Sequence, residues 1–146
     1  MKYFFLIIFF FTMLHASSPK LVQSKKGMVV AAEPIAAKVG AKILAQGGNA
    51  VDAAVAVGFA LAVTYPTAGN IGGGGFMNIR FADGKTITID YREKAPLAAT
   101  KNMYLDEKEN FLSEKNLYGH LASGVPGSVA GMLLALEKFE IGRAHV

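Results

Sequence analysis

Four consecutive glycines, Gly72–Gly75, lie near the middle of this 146-residue chain. A P-loop would end in Gly-Lys-Ser or Gly-Lys-Thr, but Phe76 and Met77 follow the run, and Met77 replaces the third glycine of a dinucleotide-binding fingerprint. Both motifs also run from strand to helix, whereas here an apolar helical pattern precedes the glycines and a strand pattern follows. The run therefore predicts close passage of the backbone beside a neighbouring helix rather than a nucleotide site.

The segment before the glycines predicts a strand and a first helix. Residues 27–33 form a short apolar run with β-branched residues, which is typical of a strand. Pro34 suits the first position of a helix, and Gly47-Gly48 would supply a left-handed cap at its end. Three residues at four-residue spacing predict the apolar face of this helix: Ile35, Val39 and Ile43.

A second helix is predicted between Asn49 and Pro66. Asn49 is a favourable N-cap, and Asp52 lies near the positive end of the helix. The segment up to Pro66 is apolar on nearly all sides, which predicts a helix buried inside a layered fold. At about 15 residues it is shorter than the roughly 20 that a membrane span needs. A chain of this size rarely buries such a helix alone, so we expect further partners for it.

A β-hairpin is predicted after the glycines, because Asp83-Gly84 is a strong signal for a tight turn. Residues 76–81 and 85–92 on either side alternate apolar and polar side chains, so one face of the two antiparallel strands should be apolar. The second strand places Arg92 at its end, next to the glycine-rich loop.

An arginine in this position has two interpretations. Its planar guanidinium can hold both oxygens of a carboxylate, or bind a phosphate. Alternatively, Arg92 forms only a surface ion pair with Glu93 or Asp90. The local pattern leaves both open.

The last third of the chain predicts a surface excursion followed by a third helix. Residues 99–114 are polar and irregular, and Pro126 or Ser128 opens an apolar-periodic segment. Four residues predict the apolar face of that helix: Val129, Met132, Leu133 and Leu136. His120 has no carboxylate or second metal ligand at useful spacing, so a structural role is predicted for it.

Composition and motifs narrow the function classes. The chain has no cysteine and no HExxH, GxSxG or acidic metal cluster, so no metal or other cofactor is expected. The net charge of +4 is mild, and no basic run is longer than Lys25-Lys26, which argues against a nucleic-acid partner.

Residues 1–18 predict a secretory signal peptide, because Lys2 precedes an apolar run too short to span a bilayer. Cleavage is expected after Ala16 or Ser18, and an uncleaved N-terminal anchor is the alternative. Residues 19–26 form a polar linker before the folded part begins. We therefore expect an exported protein, periplasmic or extracellular, without a stable membrane span.

Three motifs occur in unbroken order between residues 27 and 139: "GGNAVDAAVA", "GNIGGGGF" and "REKAP". Together they resemble the start of the large subunit of bacterial gamma-glutamyltransferases. The resemblance implies an α+β fold, namely the N-terminal fragment of an αββα N-terminal-nucleophile hydrolase sandwich. It also implies an exported precursor that cuts itself into a large and a small subunit.

The resemblance further implies the chemistry of the intact protein. A threonine at the start of the small subunit attacks a gamma-glutamyl amide, usually glutathione, and the acyl group passes to water, an amino acid or a peptide. Arg92 matches the family's arginine that holds the alpha-carboxylate of the gamma-glutamyl group, and adjacent Glu93 would orient it. The partners implied are the gamma-glutamyl donor, the remainder of the large subunit and the small subunit.

No catalytic residue of that family matches a position in this chain, because the nucleophile and the cleavage site lie downstream. Residues 27–139 are therefore expected to be the first part of the large subunit, inactive alone. The last residues, 140–146, read "EIGRAHV", and their back-translation resembles a sequencing adapter, so a non-native tail is expected. Two alternatives stay open: an exported non-enzymatic binding module, or a superfamily acylase such as a cephalosporin acylase.

Sequencing the gene beyond the codon for Phe139 tests the expected truncation. We expect an open reading frame that encodes a threonine-led small subunit. A genuine stop codon shortly after Val146 would contradict this prediction.

Overall fold

The computed structural model describes residues 21–139. It contains four α-helices, two strands and one 3-10 turn, in the order α1 (Pro34–Ala45), α2 (Ala50–Thr64), β1 (Phe76–Arg80), β2 (Thr86–Asp90), α3 (Ser113–Leu117), the 3-10 turn (His120–Ala122) and α4 (Ser128–Phe139). The predicted α+β class, helices with an antiparallel hairpin, is confirmed. The predicted signal peptide, the first two linker residues and the predicted tail lie outside the described residues.

Helix α1 begins and ends where the local signals predict. Pro34 is its first residue, and the Glu33 carboxylate accepts the N–H groups of Ile35 and Ala36 at 2.8 and 3.0 Å. These hydrogen bonds, that of Ile35 above all, hold the pKa of Glu33 below its ordinary value. At the other end, Gly47 has a φ of 93°, the left-handed conformation that glycine adopts without strain.

The apolar face predicted for α1 is wrong in detail. Ile35 is 57% exposed, whereas Ala36 and Gly40 are buried. A β-carbon at Gly40 would lie 2.6 Å from Cγ2 of Val57 on α2. The two helices therefore pack through small residues, and close approach leaves the larger side chain of Ile35 outside the contact.

The strand predicted for residues 27–33 is absent. Within residues 21–139 the sheet has only the two strands of the hairpin, so this run has no partner with which to form a ladder. It packs instead against α1, where Val29 lies close to Gly40.

Asn49 joins the start of α2 to the end of α4. Its side-chain oxygen accepts the N–H groups of Val51 and Asp52 at 2.7 and 2.9 Å, while Asp52 accepts the N–H of Asn49 at 2.7 Å. This reciprocal arrangement is a capping box. The side-chain amide of Asn49 also donates to the carbonyl of Phe139. One side chain thus caps one helix and holds the last turn of another.

The core lies between α2, α4 and the apolar face of the hairpin. Its buried residues are Val51, Val55, Met132 and Ala135, and partly buried side chains packed against them include Phe59, Met77, Ile79, Ile89, Leu136 and Phe139. The prediction that α2 is buried on all sides is wrong for the described chain. Its buried residues lie in its first half, and Val63 is 81% exposed. Helices α1 and α4 cover two sides of α2, and the residues of its C-terminal half are only partly buried, except for the exposed Val63.

The hairpin forms between the two predicted strands, which pair antiparallel. Phe76 pairs with Asp90 and Arg80 with Thr86, and the side chains of each strand alternate between exposed and half-buried. Gly84 has a φ of 86° in the turn, and the Asp83 carboxylate accepts the N–H of Lys85 at 2.9 Å. Asp83-Gly84 therefore closes the turn as expected.

Helix α4 begins at Ser128, one of the two predicted positions. Its predicted apolar face is only partly correct, because Met132 is buried but Leu133 is 53% exposed. The buried face also contains three small residues: Ser128, Gly131 and Ala135. Small side chains on this face bring the helix against the end of β2.

No helix among the described residues is both long and apolar enough to cross a membrane.

Replacing Asn49 tests its double role. Asn49→Ala removes the cap and the amide donor, so the free energy of unfolding should fall by about 1–2 kcal/mol in urea denaturation. Asn49→Ser keeps the capping oxygen and loses the contact with Phe139, so it should lose clearly less. Equal losses in the two variants would contradict a capping role.

Candidate functional site

Arg92 lies two residues beyond the end of β2, where the chain leaves the hairpin. The N–H of Tyr91 donates to the carbonyl of Gly75 at 3.0 Å, so the pairing of the two strands continues into the glycine run. The Asp90 carboxylate accepts the N–H of Arg92 at 3.0 Å. The backbone that carries Arg92 is thus fixed on both sides.

Three glycines lie against the segment from Tyr91 to Glu93. A β-carbon at Gly74 would lie 2.7 Å from the Cα of Arg92, the N of Glu93 and the O of Tyr91. On the opposite side, a β-carbon at Gly127 would overlap the carbonyl of Tyr91, and one at Gly131 would overlap its side chain. We call Gly74, Gly127 and Gly131 the glycine cradle. Backbone does pass closely at Gly74, but the neighbour there is the end of the strand and not the helix that was predicted.

The glycine run also contacts the start of α4. The carbonyl of Gly73 accepts the N–H groups of Gly127 and Ser128 at 2.9 and 3.0 Å. An antiparallel bridge between Lys94 and Val125 closes the other end of the segment, with hydrogen bonds of 3.1 and 2.8 Å. The glycine run, the strand end and α4 therefore form one connected unit.

A cleft of about 260 Å³ opens between the strand end and α4. Its lining is largely apolar and includes three charged residues, Asp90, Arg92 and Lys94. The first turn of α4 forms the opposite wall, and a helix N-terminus carries partial positive charge. Arg92 and Lys94 outnumber the one carboxylate, Asp90, so with the helix end the lining has a net positive charge, which fits the carboxylate interpretation of Arg92.

The guanidinium of Arg92 is only weakly engaged by its neighbours. Its Nε lies 3.7 Å from Oε2 of Glu93, and the two side chains are 65% and 39% exposed. At this length and exposure the ion pair contributes little. The two terminal nitrogens have no hydrogen-bond or ion-pair partner among the described residues. The arginine fork is thus free to bind a carboxylate, while Glu93 contacts it from the side.

The sequence analysis predicted that Arg92 and Glu93 lie next to the glycine run, and the structure places them there. That prediction missed the third element, the start of α4 with Lys94 beside it. Gly127 and Gly131, four residues apart at the start of a helix, were the available signal for a close approach. His120 is exposed in the 3-10 turn and does not line the cleft.

The chain resembles known proteins over most of its folded part. The family model described as "Gamma-glutamyltranspeptidase" matches residues 36–143. The glutathione hydrolase proenzyme of Pseudomonas sp. (strain A14) is 60% identical over 126 residues, which is 86% of this chain and 22% of the relative. The glutathione hydrolase proenzyme of Escherichia coli (strain K12) is 59% identical over 118 residues, 81% of this chain and 20% of the relative.

A solved structure agrees. The gamma-glutamyltranspeptidase of Helicobacter pylori superimposes with a TM-score of 0.80 at 50% identity, covering 86% of this chain and 36% of that one. The chain therefore belongs to the gamma-glutamyltranspeptidase family. This confirms the predicted fold, the N-terminal part of an αββα sandwich. The chain spans about a fifth of the length of the two relatives.

Proposed function

We propose that the intact protein transfers the gamma-glutamyl group of glutathione and related donors to water, amino acids or peptides. The acyl group would be carried by an N-terminal threonine outside this chain. The observation that carries the proposal is the free guanidinium fork of Arg92 beside a cleft that Lys94 also lines, in a chain of this family.

Arg92 would bind the alpha-carboxylate of the donor, and Glu93 would orient it. A bidentate arginine contact discriminates donors with a free alpha-carboxylate from those without one. The cleft is suited to this, because its apolar walls strengthen a charged contact and its charged groups include Lys94.

The rest of the large subunit and the small subunit, from the same precursor, would complete the site. The relatives' names as proenzymes support such a precursor. Val63 near the end of α2 is exposed and the apolar residues before it are only partly buried, which is consistent with a larger partner surface. We further propose export to the periplasm or the cell exterior, with residues 1–18 as the signal peptide.

A chimera tests the role of Arg92. Residues 27–139 replace the matching segment of the Escherichia coli proenzyme, and hydrolysis of a gamma-glutamyl anilide is measured. Arg92→Ala should weaken donor binding by about 2–5 kcal/mol, since it removes one partner of a charged pair. Arg92→Lys keeps the charge but not the fork, so an intermediate KM is expected.

The outcomes separate the alternatives. A chimera that is unprocessed and inactive before any substitution would contradict the proposed function, as would Arg92→Ala with an unchanged KM. Hydrolysis of a cephalosporin-like acyl amide in preference to the gamma-glutamyl donor would support the acylase alternative instead.

The 146-residue chain alone should neither cleave itself nor hydrolyse a gamma-glutamyl anilide, because no family nucleophile matches a position in it. The measurement is anilide release by the purified chain, with Arg92→Ala as the control. Turnover by the chain that Arg92→Ala abolishes would contradict the prediction.

A further inference from the structure

We propose that the glycine cradle positions Arg92, so that Gly74, Gly127 and Gly131 act on donor recognition through that arginine. This inference rests on the proposed function of Arg92. Under this inference Gly74, a member of the glycine run, positions Arg92 and neither makes a turn nor binds a phosphate.

The cradle confines the backbone from two directions. The space for a β-carbon at Gly74 is occupied by the Cα of Arg92 and the N of Glu93, each 2.7 Å away. From the side of α4, a β-carbon at Gly127 would lie 2.8 Å from the carbonyl carbon of Tyr91 and 3.1 Å from the O of Arg92. The blocking atoms belong to the backbone, so they cannot turn aside as a flexible side chain could.

The ring of Tyr91 makes the third contact. It packs against Gly131, whose β-carbon would lie 2.5 Å from Cδ1 of the ring, and against Gly75, whose β-carbon would lie 3.1 Å from Cε2. The residue immediately before Arg92 is therefore held by its backbone and by its side chain.

What the cradle requires is the absence of a side chain, not an unusual backbone. Gly74, Gly127 and Gly131 do not have a positive φ, unlike Gly47 and Gly84. Alanine could adopt the conformation of the three cradle residues, so its effect there is the displacement of Tyr91–Glu93. A shift at the Cα of Arg92 moves the guanidinium at the far end of its long side chain.

The same chimera provides the test, with Gly72 as a matched control. A β-carbon at Gly72 meets only the Asn70 side-chain oxygen, at 3.6 Å, which is ordinary contact. We expect Gly74→Ala to raise the donor KM by about tenfold to a hundredfold, as misplacement of a binding group does, and to change kcat less. Gly72→Ala should leave KM within about twofold of the unsubstituted chimera, because nothing must move.

Two comparisons distinguish positioning from a general loss of structure. The KM effect of Gly74→Ala should be lost when the donor's alpha-carboxylate is replaced by an amide, and lost again in an Arg92→Ala background. An equal KM effect with both donors, an undiminished effect without Arg92, or equal KM values for Gly74→Ala and Gly72→Ala would overturn the inference. If Arg92→Ala leaves the donor KM unchanged, both the proposed function and this inference are contradicted. If Arg92→Ala raises KM but Gly74→Ala does not, only the inference about the glycine cradle is contradicted.

A second pair of variants decides the matter if Gly74→Ala prevents processing. Tyr91→Ala removes the ring held by Gly131 and Gly75 without introducing a clash, and should raise KM for the carboxylate donor but not for its amide. Tyr91→Phe restores the ring and should recover most of the donor affinity. A KM of Tyr91→Ala that matches the unsubstituted chimera, or a KM of Tyr91→Phe that matches Tyr91→Ala, would overturn the inference.

Discussion

Close packing at glycines, which carry no side chain, is the constraint on which the rest of the fold depends. Gly40 brings α1 against α2, and Gly58 brings α2 against Met132 of α4, where a β-carbon would lie 2.6 Å from Sδ. Gly74 and Gly127 then bring the glycine run and α4 against the end of β2. Each contact places rigid elements closer than ordinary side chains allow. The chain can therefore organise a cleft although few apolar residues are buried within residues 21–139.

The cleft follows from these contacts rather than from a separate binding loop. The glycine run supplies a carbonyl to the start of α4, and the strand end contacts both. The charged side chains of Arg92 and Lys94 then extend from a backbone that is already fixed. Pre-organisation of this kind lowers the entropy lost when a ligand is bound.

Local signals in the sequence predicted local structure well. Asn49, Gly47 and Asp83-Gly84 lie where a cap, a helix end and a turn were predicted, because each acts on hydrogen bonds within a few residues. The choice of Arg92 also came from a local feature, the end of a strand beside glycines. Family membership was predicted from three motifs in order, and the family match confirms it.

Packing between distant segments could not be predicted in the same way. A hydrophobic stripe assumes that the largest apolar side chains face inward, whereas α1 buries Ala36 and Gly40 and exposes Ile35. The strand predicted at residues 27–33 needed a neighbouring strand, which no local signal can supply. The wall formed by α4 depends on Gly127 contacting Tyr91, residues far apart in sequence.

The crowding at Gly74 and Gly127 also limits how these positions can evolve. The atom for which there is no space is the β-carbon, which alanine, serine and tryptophan all carry. Even the smallest replacement therefore meets the same backbone atoms as the largest. Gly73 differs, because its nearest neighbour is the movable side chain of Asn70, at 3.1 Å. Adjacent glycines of one run therefore have unequal freedom to vary: at Gly73 a neighbouring side chain can move aside, whereas at Gly74 the neighbouring backbone must shift.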